Sequence, residues 1–278
     1  MNDIPGAVSE ADVAAFQRDG VICLPGIFAD WVERLARGVE RNMAEPGPYA
    51  SENTVAGEAG RFFDDYCNWE RIPEYRDFVL TSPAARLAAR IMDSKTAQFF
   101  HEHVLVKEPG TAKPTPWHQD MPFYFVAGKQ TVSMWIALDP VDRATCPQFI
   151  AGSHRWEKMV RPQHWLDESD FYAENDAYMD VPDVEADRAA YEIRAWDMAP
   201  GDAILFNYLT LHGAPGNRGR HRRRGFSARW VGDDAHYVSR PGRTSPPYPG
   251  IDQKDGERLR EDWFPVVWPP EAATRVRP

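Results

Sequence analysis

The tetrapeptide Trp117-His118-Gln119-Asp120 carries more structural information than any other segment of the chain. Because residues i and i+2 of an extended segment point to the same side, this H-x-D pair brings an imidazole and a carboxylate to one point. A third ligand must come from another strand, and Leu211-His212-Gly213 supplies the candidate. Two histidines and one carboxylate form the facial triad of Fe(II) oxygenases, which leaves coordination positions open for a bidentate co-substrate and O2.

An isolated H-x-D pair also arises by chance, so the remaining histidines are a useful comparison. None of them has a carboxylate two residues later, and they are His101, His103, His154, His164, His221 and His236. Two of these, His101 and His103, share one face of a predicted strand, where they would either line a pocket or pack. The sequence therefore favours His118 and Asp120 as metal ligands, with His212 as the third.

The chain after His212 offers a site for an anion beside the metal. Arg223 follows eleven residues later. A guanidinium at that distance can reach a dicarboxylate bound to the metal, and its planar fork suits bidentate binding of a carboxylate. Arg222 and Arg224 remain competitors, since the run from 218 to 224 also has the composition of a solvated basic loop.

Hydrophobic periodicity divides the chain near residue 95. Residues 1–95 are predicted to be mainly helical with one strand, whereas residues 96–235 contain short strands separated by turns. The predicted helices run from the cap Ser9 to Gly20, from Ala29 to Met43, from Pro73 to Leu80 and from Pro83 to Met92. The predicted strands are Val21–Leu24, Phe99–Lys107, Thr131–Leu138, Gln148–Ala151, Glu192–Ala195, Ala203–Phe206 and Gly225–Val231.

This pattern predicts one domain over residues 1–278 with a β-sandwich or barrel at its centre. Residues 161–190 are polar and acidic and are interpreted as an insertion into the β-rich part. Residues 236–278 are rich in proline and are predicted to form a tail on the surface.

The composition limits the classes of molecule that the protein is expected to bind. The formal net charge of −10 disfavours binding to nucleic acid or anionic membranes. No apolar run reaches the ~18 residues that a membrane span requires. Three cysteines without a CxxC pair, and a start without a signal-peptide pattern, indicate a reducing compartment. We therefore expect a cytoplasmic protein with a small-molecule substrate, and the sequence indicates no oligomeric state.

Further motifs accompany the metal-ligand pattern. They are Val132-Ser-Met-Trp-Ile-Ala-Leu-Asp139, Phe149-Ile-Ala-Gly-Ser-His154, Pro200-Gly-Asp202 and His212-Gly-Ala214 with Asn217 and Arg223. With Trp117–Asp120 and the opening Phe16–Gly20, they span roughly residues 9–234. In this combination the chain resembles the phytanoyl-CoA dioxygenase family of Fe(II)- and 2-oxoglutarate-dependent oxygenases.

The resemblance implies a mainly β fold, namely a double-stranded β-helix (a cupin-like jelly roll) with a helical buttress. It implies Fe(II) bound by His118, Asp120 and His212, and 2-oxoglutarate with its distal carboxylate on Arg223. It also implies that O2 is used to hydroxylate an unactivated C–H bond of a small molecule, with release of succinate and CO2.

Two further co-substrate contacts follow from the same resemblance. Lys107 stands where ectoine hydroxylases have a co-substrate lysine, and Trp135 matches a tryptophan near the co-substrate. Asp120 is informative as well, because halogenating relatives have a small residue there, so the resemblance implies hydroxylation or a related oxidation. The segment Ala144-Thr-Cys-Pro-Gln148 departs from the Asn-Gly that the family often has, which changes a loop and not the iron site.

The sequence is less informative about the substrate. Candidate pocket residues are aromatic side chains and the two strand histidines, namely Phe62, Tyr66, His101, His103, Phe123, Tyr124 and Phe125. They select no substrate and do not separate hydroxylation from desaturation, epoxidation or rearrangement. Two alternatives stay open: a cupin-type metalloenzyme that does not use 2-oxoglutarate, for which Arg223 would be dispensable, and a non-catalytic binder on the same fold.

Overall fold

The computed structural model describes residues 8–54, 57, 59–165, 167–173 and 176–272. The two ends of the predicted domain, 1–7 and 273–278, and residues 166, 174 and 175 of the predicted insertion lie outside the described residues.

The helices are Glu10–Asp19 (α1), Val32–Ala44 (α2), Pro73–Thr81 (α3) and Ala84–Met92 (α4). The strands are Val21–Leu24 (β1), Ser51–Glu52 (β2), Phe62–Tyr66 (β3), Ala97–Lys107 (β4), Thr115–His118 (β5), Val126–Ala127 (β6), Thr131–Ala137 (β7), Gln148–Ile150 (β8), Met159–Val160 (β9), Tyr178–Met179 (β10), Ile193–Arg194 (β11), Ala203–Phe206 (β12), His212–Ala214 (β13), Arg223–Val231 (β14), His236–Tyr237 (β15) and Val266–Trp268 (β16).

The ends of α1 follow directly from its local sequence. Ser9 Oγ accepts a hydrogen bond from the backbone N–H of Asp12 (3.1 Å), while the Asp12 carboxylate accepts one from the backbone N–H of Ser9 (2.9 Å). This reciprocal capping box satisfies amide groups that would otherwise lack partners. Gly20 ends the helix with a φ of +74°, which glycine adopts at little cost. The predicted start and end of this helix are therefore confirmed.

Two antiparallel sheets form the jelly roll. The larger sheet has the strand order β1-β12-β7-β14-β4-β3-β2, and β16 also pairs with β4. The smaller sheet has the order β11-β8-β13-β5. The chain therefore has the mainly β, jelly-roll core that the motifs predict, and the space between the sheets is where the metal-ligand candidates lie.

The helices cover the outer face of the larger sheet, and β14 shows how the sequence achieves this. Phe226 and Trp230 alternate with polar residues along the strand and are fully buried on the helical side. Phe226 packs against Tyr75 and Phe78 of α3, with ring centroids 4.8 and 5.3 Å apart. Ser227 and Arg229, which alternate with the buried aromatic residues of β14, face the interior of the jelly roll.

A β-bulge in β4 exchanges the faces of that strand. Trp230 of β14 pairs with Phe99, while the preceding Arg229 pairs with His101, so Phe100 is an extra residue on β4. As a result Phe99 packs on the helical side against Trp230 (5.0 Å between ring centroids), whereas His101 faces the interior.

The structure differs from the sequence predictions in three regions. The first 95 residues contain β2 and β3 in addition to the one predicted strand, because β3 gains its hydrogen bonds from β4, far along the chain. The proline-rich tail does not only cover the surface, since β16 pairs with β4 and Phe264 is fully buried. The insertion 161–190 contributes Trp165 to the interior cavities.

No helix among the described residues is long and apolar enough to cross a membrane.

Replacing Phe226 with alanine tests the contact between the helices and β14. Removing a fully buried aromatic ring that packs on two others should lower the free energy of unfolding by about 3–5 kcal/mol. Chemical denaturation followed by circular dichroism measures this loss. Tyr237→Ala, at a half-buried position, is the control and should cost clearly less. Equal losses in the two variants would contradict the assigned packing.

Candidate metal centre and its two cavities

Strands β5 and β13 bring the three predicted metal ligands together. His118 is the last residue of β5 and pairs directly with His212, the first residue of β13. Asp120 lies just beyond β5, and its Oδ1 is 3.8 Å from His118 Nε2 and 3.9 Å from His212 Nε2. All three side chains are buried, and their ligand atoms lie within 4.8 Å of one another.

The backbone orients both imidazoles. His118 Nδ1 donates to the carbonyl of Pro116 (2.8 Å), and His212 Nδ1 donates to that of Thr210 (2.9 Å). Because a carbonyl only accepts hydrogen bonds, Nδ1 carries the proton and Nε2 is left as the ligand atom. Burial lowers the pKa of His118 to about 3, with a further contribution from His212, and burial also lowers the pKa of His212. Both rings are therefore neutral and able to bind a metal at physiological pH.

A hydroxyl and a guanidinium from the larger sheet hold the Asp120 carboxylate. Its Oδ2 accepts a hydrogen bond from Ser133 Oγ (2.8 Å) and lies 3.4 Å from Arg229 Nε. Ser133 and Arg229 are cross-strand partners on β7 and β14, which is why both reach one oxygen. Burial acts to raise the pKa of Asp120, but the positive charge of Arg229 and the hydrogen bond from Ser133 act against it, and that pKa lies well below its usual range.

This donor set fits a divalent transition metal. Two bare imidazole nitrogens and one ionised carboxylate oxygen match the facial triad of non-haem Fe(II) sites. Oδ1 is the oxygen that points toward the histidines, because Oδ2 is already held by Ser133 and Arg229. Outer contacts of this kind orient metal ligands in proteins.

A small cavity beside His212 contains the predicted co-substrate residues Arg223, Lys107 and Trp135. Arg223 donates to the carbonyls of Thr145 and Pro215, and Lys107 donates to those of Lys113 (3.0 Å) and Pro215 (3.3 Å). Neither cation has an aspartate or glutamate within ion-pair distance in the described parts of the chain.

The electrostatics of this cavity favour an anion. Burial lowers the pKa of Arg223 to about 10, and burial followed by the charge of Arg223 lowers the pKa of Lys107 well below its usual range. The hydroxyls of Thr115 and Ser227 also line the cavity and are buried without a hydrogen-bond partner. Two buried cations and two unpaired hydroxyls fit the carboxylate end of a dicarboxylic acid.

The three consecutive arginines lie on opposite faces of the strand. Arg223 is 5% exposed and pairs across the sheet with Lys107. Arg222 is held by Glu108 and Glu40, and Arg224 by Asp139 and Glu40, outside the cavity. Strand alternation therefore separates Arg223 from its two neighbours, which the sequence left as competitors.

A second cavity, of about 240 Å³, is lined by His118 and Asp120 and shares His103, His118, Trp165 and Arg229 with the first. Five predicted substrate residues line it, namely Tyr66, His101, His103, Phe123 and Tyr124. Phe62 and Phe125 are also predicted to line a substrate pocket, but neither is among the described residues that line this cavity. The ring of Phe62 lies under the Lys107 ammonium (4.3 Å), and Phe125 packs in a separate core cluster with Phe264.

Several residues of the site were missed from the sequence. Arg229 and Ser227 could have been found, because they share the face of Arg223 at two-residue spacing on one strand. Asp64, Asn53 and Trp165 carry no local signal, since they reach the cavity from β3, from the segment after β2 and from the insertion.

One curated relative is "Probable phytanoyl-CoA dioxygenase" of Caenorhabditis elegans, which is 24% identical over 196 residues. The match covers 65% of this chain and 54% of the relative. The chain therefore spans about half the length of that curated relative.

Solved structures show the same fold. The non-heme alpha ketoglutarate dependent carbocyclase SnoK from nogalamycin biosynthesis has a TM-score of 0.72 and 22% identity, covering 93% of this chain and 96% of SnoK. The epimerase SnoN, in complex with Fe3+, alpha ketoglutarate and nogalamycin RO, has a TM-score of 0.73 and 22% identity. The match covers 95% of this chain and 99% of SnoN. EctD from S. alaskensis, with 2-oxoglutarate and 5-hydroxyectoine, has a TM-score of 0.65 and 21% identity. The match covers 93% of this chain and 87% of EctD.

The sequence profile of the family described as "Phytanoyl-CoA dioxygenase (PhyH)" matches residues 16–225. This range is well over half of the chain and includes the three metal-ligand candidates and Arg223. The resemblance indicated by the motifs is thereby confirmed: the chain belongs to the phytanoyl-CoA dioxygenase family.

Proposed function

We propose that the chain is a non-haem Fe(II)- and 2-oxoglutarate-dependent oxygenase that hydroxylates an unactivated C–H bond of a small organic molecule. One observation carries this proposal: the buried His118–Asp120–His212 set adjoins a cavity with two buried cations that have no carboxylate partner in the described chain. When bound, Fe(II) and 2-oxoglutarate would supply the O2-dependent oxidation, with succinate and CO2 as co-products.

Each residue then has a specific task. His118, His212 and Asp120 Oδ1 bind the metal, and Ser133 and Arg229 keep the Asp120 carboxylate in a single orientation. Arg223 binds the distal carboxylate of 2-oxoglutarate, with Lys107 as a second cation, and the Trp135 indole forms a wall of the cavity. Burial of both cations strengthens their attraction to the dicarboxylate, because little water screens it.

The second cavity is proposed to hold the substrate. Among the described residues that line it, Arg229 is the only arginine or lysine, and it is already paired with Asp120. This described lining therefore offers no spare cation for a polyanion such as a coenzyme A ester. We propose a compact small molecule there, and one domain spanning 1–278 in which all these parts act together. The three free cysteines support the proposed cytoplasmic location.

Anaerobic titration of the protein with Fe(II) and 2-oxoglutarate tests the reaction class. We expect a weak visible charge-transfer band from the chelated keto acid, and we expect His212→Ala to abolish it by removing a metal ligand. If folded, iron-loaded protein shows no band, the co-substrate assignment fails and a cupin-type metalloenzyme that does not use 2-oxoglutarate takes its place.

Replacing Arg223 with glutamine tests the carboxylate site. Loss of charge-assisted hydrogen bonds worth about 1.5–3 kcal/mol should weaken 2-oxoglutarate binding about 10- to 150-fold. Iron affinity should stay the same, because Arg223 does not contact the metal ligands. Arg222→Gln is the matched control on the opposite face of the strand and should bind 2-oxoglutarate like the wild type. Equal effects in the two variants would refute the assignment.

Replacing Ser133 with alanine tests the orientation of Asp120. Outer contacts to a metal ligand typically contribute about 10- to 100-fold to metal affinity, so we expect Fe(II) to bind more weakly by such a factor. Anaerobic competition with a chelator measures the dissociation constant. Ser227→Ala is the control, since the Ser227 hydroxyl has no hydrogen-bond partner, and it should leave iron affinity unchanged. An unchanged affinity in Ser133→Ala would show that Asp120 needs no such support.

A further inference from the structure

The substrate-side cavity contains a hydrogen-bonded pair to which the proposed function assigns no task. Asp64 Oδ2 accepts a hydrogen bond from His103 Nε2 (2.9 Å), and Asp64 Oδ1 accepts one from the Asn53 side-chain amide. Asp64 is 5% exposed and His103 8% exposed. Asp64 has no lysine or arginine within ion-pair distance in the described part of the chain. Burying such groups is costly, so their position on a cavity wall calls for a function.

The Asp64 carboxylate determines which ring nitrogen of His103 is free. An ionised carboxylate only accepts hydrogen bonds, so His103 Nε2 must carry a proton. In the neutral ring Nδ1 is then an acceptor. Nδ1 has no hydrogen-bond partner in the described chain and is not among its buried unpaired atoms. It is therefore accessible from the cavities that His103 lines.

Neighbouring rings hold His103 in this orientation. The Trp165 ring stacks on it at 5.8 Å with an interplanar angle of 13°, and the Tyr66 ring meets it edge-on at 5.4 Å. The Trp165 ring also lies 5.3 Å from the ring of the metal ligand His118. The Trp165 ring therefore contacts both His103 and a candidate metal ligand.

The rest of the cavity is suited to an apolar ring. Aromatic side chains from three separate segments form its walls, namely Tyr66, Phe123, Tyr124, Trp165 and Phe171. Flat aromatic walls favour a ring-shaped body, and a fixed acceptor selects a group that donates a hydrogen bond. A carboxylate at the same point would face the lone pair of Nδ1 and the charge of Asp64, and both would repel it.

We propose that His103 Nδ1 accepts a hydrogen bond from a hydroxyl group of a compact, ring-shaped substrate, and that Asp64 is the positioning residue that keeps this nitrogen an acceptor. This inference rests on the proposed function, since it concerns the substrate side of the same site. A hydroxyl held there would fix one point of the ring, so the pair would help to set which ring carbon is oxidised.

Two matched pairs of ring compounds test the proposal. In each of two pairs, cyclohexanol with cyclohexyl methyl ether and phenol with anisole, methylation of the oxygen removes the O–H donor and adds one methyl group. The two pairs distinguish an alicyclic from an aromatic substrate, and the His103 variants separate the loss of the donor from the added bulk. Ligand-observed NMR titration of the full-length protein gives their dissociation constants, with and without anaerobic Fe(II) and 2-oxoglutarate. In at least one of the two pairs, we expect the hydroxyl compound to bind about tenfold more tightly than its methyl ether, as one hydrogen bond allows.

Variants of the pair separate a binding role from a structural one. His103→Gln keeps a donor near the Nε2 position but loses Nδ1, so it should remove the preference for the alcohol over the ether. His103→Asn keeps an amide near the Nδ1 position and should restore part of it. Asp64→Asn no longer forces the proton onto Nε2, so the alcohol-to-ether ratio should fall toward one while the fold is retained. His236→Gln, at a site away from the cavity, should behave like the wild type.

The outcomes also distinguish this proposal from the proposed function. If no charge-transfer band forms but the alcohol preference depends on His103, the oxygenase assignment fails and the substrate-side inference stands. If the band forms while alcohol and ether bind equally, or neither binds, or His103→Gln keeps the preference, the inference is overturned and the oxygenase assignment is unaffected.

Discussion

Backbone hydrogen bonds hold β14 between β4 and β7. The register of this pairing determines which β14 side chains enter the core and which enter the site. The strand's alternating side chains send Phe226 and Trp230 to the helices and Arg223 and Arg229 to the interior. A slip of one residue would exchange the two sets and place guanidinium groups in the apolar helical layer. The packing of the helices therefore fixes the positions of the cations beside the metal centre.

These interior cations differ in how they are neutralised. Arg229 is paired with Asp120, and breaking a buried pair of this kind leaves an uncompensated charge, which is strongly destabilising. Arg223 and Lys107 contact carbonyl oxygens, and Lys107 also lies over the Phe62 ring, but neither has a carboxylate partner among the described residues. Arg229 is thus neutralised within the protein, whereas Arg223 and Lys107 carry charge that an incoming dicarboxylate can complement.

The two sides of the metal centre are built from different kinds of structure. The candidate metal ligands and the residues proposed to bind the co-substrate lie on or next to paired strands, which restrict their positions to a register. The substrate side is completed by Trp165 and Phe171 of the insertion and by Ser245 of the tail. Because loops tolerate change more readily than strands, members of one family can share a reaction centre and differ in substrate. Membership of the phytanoyl-CoA dioxygenase family therefore does not assign this cavity its ligand.

Features that depend on local geometry could be predicted from the order of the residues alone. The spacing of His118 and Asp120 predicted ligands on one side of the chain, the periodicity predicted the helices and most of the long strands, and the motifs together predicted the family and its jelly roll. Only the tertiary structure separated Arg223 from its neighbours and brought Asp64, His103 and Trp165 together. The physical reason is that their partners lie on strands and loops far apart in the chain, and contacts between distant segments arise from strand pairing and packing rather than from any local pattern of residues.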